Sequence, residues 1–113
     1  MLARHRSEPV PDVMLLAPRT DFYTGRLPEP ADVWLLVEVA DSSLLYHRRT
    51  RLPLYAQAGV VEAWLMDLEP GRVEIHRGAA GAGYRDVRRP RAGEPFSPGA
   101  FPDLVVTLAD LLG

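Results

Sequence analysis

The sequence has no cysteine, no lysine and no long hydrophobic run. Lack of cysteine is compatible with a reducing compartment, and the polar residues 1–6 are not followed by an apolar segment of signal-peptide length. No run approaches the roughly 18 apolar residues that a membrane helix needs. We therefore expect a cytoplasmic protein with no membrane partner. Because lysine is absent, all thirteen basic residues are arginine.

The charge balance is slightly acidic, with a formal net charge of −2. This value argues against a generic nucleic-acid binder, which usually carries a basic field over much of its surface. Local clusters of basic residues are nevertheless present. The first contains His47, Arg48, Arg49 and Arg51, and the second contains Arg85, Arg88, Arg89 and Arg91. Either cluster could line a phosphate-facing surface, and the alternative is a solvated face.

A central strand is predicted at residues 34–40, an apolar run with Glu38 inside it. An ionised carboxylate out of water is costly unless a cation, a donor or a metal compensates it. A second apolar run, residues 10–16, contains Asp12. Two acids on neighbouring buried strands predict a divalent-metal site, because hard cations bind carboxylate oxygens. The alternative is that each acid pairs with an arginine such as Arg48 or Arg51.

A helix is predicted to follow the central strand, starting near Asp41 and ending at Gly59. Pro53 leaves two possibilities, a kinked helix or a helix that begins around Leu52. A continuous helix would place Arg48, Arg51 and Tyr55 on one side.

The second half of the chain predicts a hairpin and a C-terminal helix. Residues 60–67 form a third core strand, and residues 72–77 alternate polar and apolar side chains like a half-exposed strand. The glycine-rich residues 78–83 form a hairpin tip before an edge strand at residues 84–88. A short strand at residues 104–106 precedes a small helix, which has a capping-box-like start at Thr107. With no internal repeat, residues 1–113 are expected to form one domain.

Four segments together resemble a known family. They are Pro11-Asp12-Val13, Val37-Glu38-Val39, Arg51-Leu52-Pro53-Leu54-Tyr55-Ala56-Gln57-Ala58-Gly59-Val60 and Glu62-Ala63-Trp64-Leu65-Met66-Asp67. They resemble the bacterial Uma-two family of restriction endonucleases, which belongs to the PD-(D/E)xK nuclease superfamily. The segment around Tyr55 is the most specific of the four.

The resemblance implies an α/β, restriction-endonuclease-like fold, with a mixed β-sheet core, a central helix and a short C-terminal helix. It implies that Asp12 and Glu38 bind Mg²⁺ or Mn²⁺ and that the protein hydrolyses phosphodiester bonds in DNA. Family members usually begin with a helix and a hairpin, which this chain lacks before Asp12. Apolar surface left uncovered in this way leads us to expect a homodimer.

The chain departs from the family pattern at the catalytic lysine. The superfamily has a lysine two residues after the second acid, where this chain has Ala40. In the Uma-two group the lysine lies on the following helix, at the position of Arg51. Arginine can neutralise charge on a phosphate but cannot act as a general base. Activity would then depend on the metal and on Arg51 as an electrostatic clamp.

A second function is compatible with these departures: a catalytically degenerate, truncated nuclease fold that serves as a binding or assembly module. His47 could be a proton shuttle or a third metal ligand, and the alternative is a residue on the helix surface. Tyr55 is expected to be a packing residue with a tethered hydroxyl. His5 and His76 are expected at the surface.

Overall fold

A computed structural model describes residues 13–18, 24, 29–40, 46–68, 71–81 and 83–112. In this part of the chain five strands form one mixed sheet in the order β1-β2-β3-β4-β5. They are β1 (Val13–Leu16), β2 (Val33–Ala40), β3 (Glu62–Asp67), β4 (Arg72–Ala80) and β5 (Gly83–Arg88). Helices lie between β2 and β3 and at the C-terminal end, which confirms the predicted α/β class and is compatible with a restriction-endonuclease-like fold.

The central strand β2 is confirmed, with Leu35 and Leu36 both buried although they point to opposite faces. It pairs antiparallel with β1 and parallel with β3, and Glu38 lies opposite Leu65. All other neighbouring pairs in the described sheet are antiparallel. A parallel pair needs a long crossover connection, so the chain between β2 and β3 must cross one face of the sheet.

The described part of this crossover is helical and has two sections. A π-helical turn, His47–Arg51, continues into α1, Leu52–Gln57. Pro53 lies in the first turn of α1, directly after the π-helical turn. The α-helix proper begins at Leu52, as one of the two alternatives predicted, but it continues a helical turn that starts at His47 and is not separated from it. Gly59 ends the segment with φ +87°, a conformation that favours glycine.

The two faces of the sheet carry separate hydrophobic clusters. The crossover helix covers the first face, where Leu52 and Val60 pack with Leu36, Ala63 and Leu65. On the second face, the cluster contains Leu35, Trp64, Val73, Ile75 and Phe96, with Val106, Leu108 and Leu111 packed against it. The sheet is thus a middle layer, and only one of its faces carries the arginine-bearing helix.

The C-terminal region differs in part from its prediction. The expected strand at residues 104–106 is reduced to a single bridge between Phe96 and Val106, because Leu104 and Val105 are exposed and pair with no strand in the described chain. The short helix is confirmed as α2, Leu108–Leu112. Its capping box is present, since the Thr107 N–H donates to Asp110 Oδ2 at 2.8 Å.

The strand β4 corrects two further predictions. It continues through the glycine-rich segment to Ala80, so the turn is confined to the residues around Gly81. Its polar residues Glu74 and His76 are buried rather than half-exposed. The alternation pattern failed here because arginines from other elements cover these side chains. Within the described residues, none of the helices has the length and apolar character needed to span a bilayer.

Candidate active site

Glu38 occupies the centre of the helix-covered face and is completely buried. Its Oε1 accepts a hydrogen bond from the Tyr55 hydroxyl at 2.6 Å and lies 2.9 Å from Arg51 Nη2. The same Arg51 nitrogen donates to the Tyr55 hydroxyl at 2.9 Å. Glu38, Arg51 and Tyr55 therefore form a closed triangle between the central strand and the crossover helix.

Local sequence explains how the helix supplies two members of this triangle. Arg51 is the last residue of the π-helical turn and Tyr55 lies four residues later in α1, so both side chains share one helix face. Leu52, between them, is buried in the adjoining hydrophobic cluster and fixes that face against the sheet. The predicted common side of Arg51 and Tyr55 is confirmed.

The triangle compensates the buried charge of Glu38. A guanidinium within hydrogen-bond distance and a phenol donor supply the partners that a carboxylate out of water requires. Burial, together with the hydrogen bond to Glu38, raises the pKa of Tyr55 above its ordinary value. Tyr55 is consequently a hydrogen-bond donor near neutral pH and does not act as a phenolate. Its predicted tethered hydroxyl is confirmed.

His47 is buried at the same place, and the prediction of a helix-surface residue is wrong. Its Nδ1 lies 3.8 Å from Glu38 Oε2, longer than a normal hydrogen bond. The ring also contacts Tyr46, with 5.9 Å between ring centroids. The residue was misjudged because its arginine neighbours indicated a polar face, whereas the π-helical turn directs His47 toward Glu38.

A metal of the Mg²⁺ or Mn²⁺ type fits part of this donor set. Glu38 supplies carboxylate oxygens, which suit these ions, and His47 supplies an imidazole nitrogen, which suits softer transition metals. The described residues contain no group of three or more histidine, aspartate or glutamate side chains that could hold an ion. Arg51 already offsets the charge of Glu38. Glu38 thus fits as one ligand, and a complete set requires a further acid.

Asp12, the other acid of the predicted metal site, lies outside the described residues. The next residue, Val13, is described and pairs with Val37, which immediately precedes Glu38. Ala40, at the superfamily's lysine position, is fully buried and lies opposite Asp67. The described strand therefore provides no cation there, and Arg51 supplies the positive charge beside Glu38.

A second buried acid, Glu74, was not predicted as a site residue. Arg48 Nε and Arg89 Nε each donate to its carboxylate at 3.3 Å, and His76 Nε2 lies 3.0 Å from Oε1. Arg48 Nη2 makes an additional contact with Oε2. Two features of the sequence could have indicated this cluster: Glu74 and His76 are two residues apart and therefore share a strand face, and the chain has clusters of arginine that can pair with a buried acid. Of the alternative ion pairs, the one between Glu38 and Arg51 is present, whereas Arg48 binds Glu74.

The ionisation of this second cluster follows from its contacts. Burial alone would raise the pKa of Glu74, but hydrogen bonds from Arg48 and His76 outweigh burial and hold the pKa below its usual range. Burial lowers the pKa of His76, although Glu74 opposes this change. Near neutral pH the cluster therefore contains an ionised Glu74, a neutral His76 and two charged arginines.

Comparison with known proteins supports a nuclease ancestry. The model of the Uma2 family, described as "Putative restriction endonuclease", matches residues 2–109 of the chain. No curated protein matches the chain significantly. Because the family match extends over nearly the whole sequence and includes the segment that carries Glu38, Arg51 and Tyr55, the chain belongs to the Uma2 family.

Proposed function

We propose that this protein is a metal-dependent endonuclease that hydrolyses phosphodiester bonds in DNA. Asp12 and Glu38 bind Mg²⁺ or Mn²⁺ in this proposal, and Arg51 is the third catalytic residue. A cytoplasmic location is part of the same proposal. The observation that carries it is the fully buried Glu38 carboxylate beside Arg51 and Tyr55, in a chain of a nuclease-like family.

The roles of the side chains follow from their chemistry. A guanidinium carries a positive charge and does not act as a general base, so Arg51 stabilises negative charge on the phosphate. Tyr55 positions Arg51 and Glu38 through its hydroxyl. A bound metal supplies a water of lowered pKa and a positive charge near the scissile phosphate. His47 lies close enough to the Glu38 carboxylate to influence its orientation.

Nuclease assays with matched variants test this proposal. Supercoiled plasmid, linear duplex and single-stranded DNA are incubated with the protein in Mg²⁺, Mn²⁺ or EDTA. We expect cleavage with a metal, and a loss of at least about 100-fold for Glu38→Gln and Asp12→Asn, because each removes charge from the proposed ligand set. Asp103→Asn is the control, since it neutralises an exposed carboxylate outside the site.

Arg51→Lys separates electrostatic clamping from lysine chemistry. The variant restores the residue type expected at this helix position and retains a positive charge, but it loses the planar fork that suits phosphate. Retained or increased cleavage is expected for Arg51→Lys, together with strong loss for Arg51→Gln. Absence of metal-dependent cleavage in the wild type, on every DNA form, would refute the nuclease assignment.

The geometry also favours a second candidate, a catalytically inactive binding or assembly module. Its specific support is the 2.9 Å contact between Arg51 and Glu38 Oε1, which satisfies the buried carboxylate without an ion. Titration calorimetry with Mn²⁺ distinguishes the two candidates. Binding at millimolar affinity or tighter that is lost in Glu38→Gln supports the nuclease, whereas absence of heat of binding supports the module.

A homodimer remains part of the proposal. Its support is a group of exposed apolar side chains beside the C-terminal bridge, namely Phe101, Leu104 and Val105. Phe101 also packs on Trp34 with 5.4 Å between ring centroids. Light scattering coupled to size exclusion measures the mass directly. We expect twice the chain mass, and a single-chain mass at all concentrations would refute the dimer.

A further inference from the structure

The π-helical turn of the crossover contacts two buried acids on the helix-covered face of the sheet. Its first and last residues, His47 and Arg51, lie 3.8 Å and 2.9 Å from the carboxylate oxygens of Glu38. Arg48, between them in the sequence, binds Glu74, with Nε 3.3 Å from Oε1 and Nη2 against Oε2. One helical turn is therefore attached both to β2 and to β4.

Glu38 and Glu74 lie on either side of Leu65. Leu65 is opposite Glu38 in β2 and opposite Glu74 in β4, so the three side chains point to the same sheet face. Two strand spacings, about 10 Å, separate the two acids. Leu52, which follows the turn, packs in the same hydrophobic cluster as Leu65. The turn therefore lies above this part of the sheet and bridges the two acids.

The hydrogen bonding of this turn is of the π type. The Leu52 N–H donates to the carbonyl of His47, whereas α-helical bonding would use the carbonyl of Arg48. π-Helical turns are rare in proteins. Conversion to α-helical bonding would take one residue out of the turn and rotate the preceding residues by about 100° relative to α1. Such a rotation would carry Arg48 and His47 away from the acids that they contact, so these contacts select the π form.

The contact of Arg48 with Glu74 is the firmer of these two contacts. His47 approaches its carboxylate only to 3.8 Å, which is longer than a hydrogen bond. Arg48 instead offers two nitrogens to a carboxylate that is 7% exposed, and paired guanidinium–carboxylate bonds are among the strongest in proteins. His76 and Arg89 bind the same carboxylate at 3.0 and 3.3 Å. Glu74 is thus fixed in place and fixes the start of the turn.

We propose that Glu74 is a positioning residue of the Glu38 site. Acting through Arg48, it holds the π-helical turn in the form that directs His47 and Arg51 toward the buried carboxylate. The inference rests on the proposed nuclease function, and it adds a residue that affects the reaction without contacting the substrate. Because Glu74 lies two strands away from Glu38, its effect on the site passes through the turn.

NMR measurements without DNA test the turn itself. The scalar coupling across the hydrogen bond, from the Leu52 nitrogen to the carbonyl carbon of His47, identifies the π-type bond, and amide hydrogen exchange measures how often this bond opens. The Ala58 amide, which donates to the Leu54 carbonyl at 3.1 Å, is the reference within the same helix. Dividing the Leu52 rate by the Ala58 rate removes effects that are common to the whole helix.

Glu74→Gln should release the turn. We expect the Leu52 amide to exchange about tenfold faster relative to Ala58, or its coupling to move to the carbonyl of Arg48, because a charged hydrogen bond is roughly twice as strong as a neutral one. Arg48→Gln should give the same result from the other side of the contact. Arg48→Lys retains the positive charge and should restore most of the protection.

Cleavage kinetics test the consequence for the Glu38 site. Glu74→Gln leaves every arginine in place and removes a negative charge, so the affinity for DNA should be unchanged or higher. We nevertheless expect kcat to fall by about tenfold or more, because small misplacements of a group that acts on the reacting centre are costly. Rates are measured below the unfolding transition of each variant, so that loss of folded protein does not contribute.

Glu62→Gln is the matched control. Glu62 is also a buried acid bound by an arginine, with Oε2 3.1 Å from Arg77 Nη2, but it bonds to Trp64 on the opposite sheet face. This variant should lose stability and keep the Leu52 exchange ratio and kcat. If Glu74→Gln behaves like Glu62→Gln in either measurement, the proposal is overturned while the nuclease assignment stands. If wild type cleaves no DNA, the nuclease assignment is refuted, and the NMR measurements alone decide whether Glu74 holds the turn.

Discussion

Tyr55→Phe is the sharpest test of the Glu38 triangle, because it removes one oxygen atom and little else. The hydroxyl donates to the buried Glu38 carboxylate at 2.6 Å and accepts from Arg51. Hydrogen bonds to charged groups contribute about 1.5–3 kcal/mol. We therefore expect the free energy of unfolding to fall by roughly 2 kcal/mol, with Arg51 still compensating Glu38.

Two other tyrosines provide internal standards for this measurement. The Tyr84 hydroxyl donates to the backbone carbonyl of Val60 at 2.8 Å, a neutral acceptor, so Tyr84→Phe should cost about 1 kcal/mol. Tyr46 is exposed, so Tyr46→Phe should change stability by less than about 0.5 kcal/mol. Urea unfolding of the three variants gives the comparison. A cost for Tyr55→Phe no larger than that for Tyr46→Phe would refute the compensated triangle.

Two further predictions concern the other buried acids. A Cβ added at Gly99 would lie 2.8 Å from Glu62 Oε1, which accepts the Gly99 N–H. Gly99→Ala should therefore lower the thermal midpoint of unfolding. Gly83→Ala is its control, because a Cβ at Gly83 would meet open space. Because the folded-state pKa of Glu74 is depressed, its stabilising contribution is present above pH 4.5 and is lost as the pH falls further. Glu74→Gln should flatten the pH dependence of urea unfolding in that acid range, and an unchanged slope would contradict the assignment.

The sequence predicted the elements whose signals are local. The uninterrupted run of apolar residues around Glu38 indicates a strand that is buried on both faces. Gly59 indicates the end of a helix, and this signal does not depend on which part of the fold the helix packs against. Thr107 and Asp110 likewise identify their own cap. The contact between Arg51 and Glu38 is one of the two alternatives that the sequence left open, because spacing alone does not choose between an arginine and a metal as the partner of a buried acid.

The failures concern side chains whose partners are distant in the sequence. Glu74 and His76 have the alternation of an exposed strand face, but Arg48 and Arg89 cover them from 26 and 15 residues away from Glu74. His47 adjoins two arginines and still lies in the core, because the π-helical turn directs it toward Glu38. The burial of these side chains cannot be inferred from hydrophobic periodicity, because the periodicity describes one helix or strand and not the elements that pack against it.

Glu38 and Glu74 both lie on the helix-covered face and both bind an arginine, but the two arginines differ in their exposure to solvent. Arg51 is mostly enclosed beside the fully buried Glu38, so this pair has to change its contacts before a phosphate or an ion can enter. Arg89 keeps most of its surface in solvent while bound to Glu74, so it can receive a phosphate without leaving its carboxylate. Initial DNA binding should therefore depend on exposed arginines such as Arg89, whereas Arg51 should affect the later chemical step. Arg51→Gln should accordingly reduce cleavage far more than DNA affinity, and the reverse ranking would show that Arg51 is the first contact.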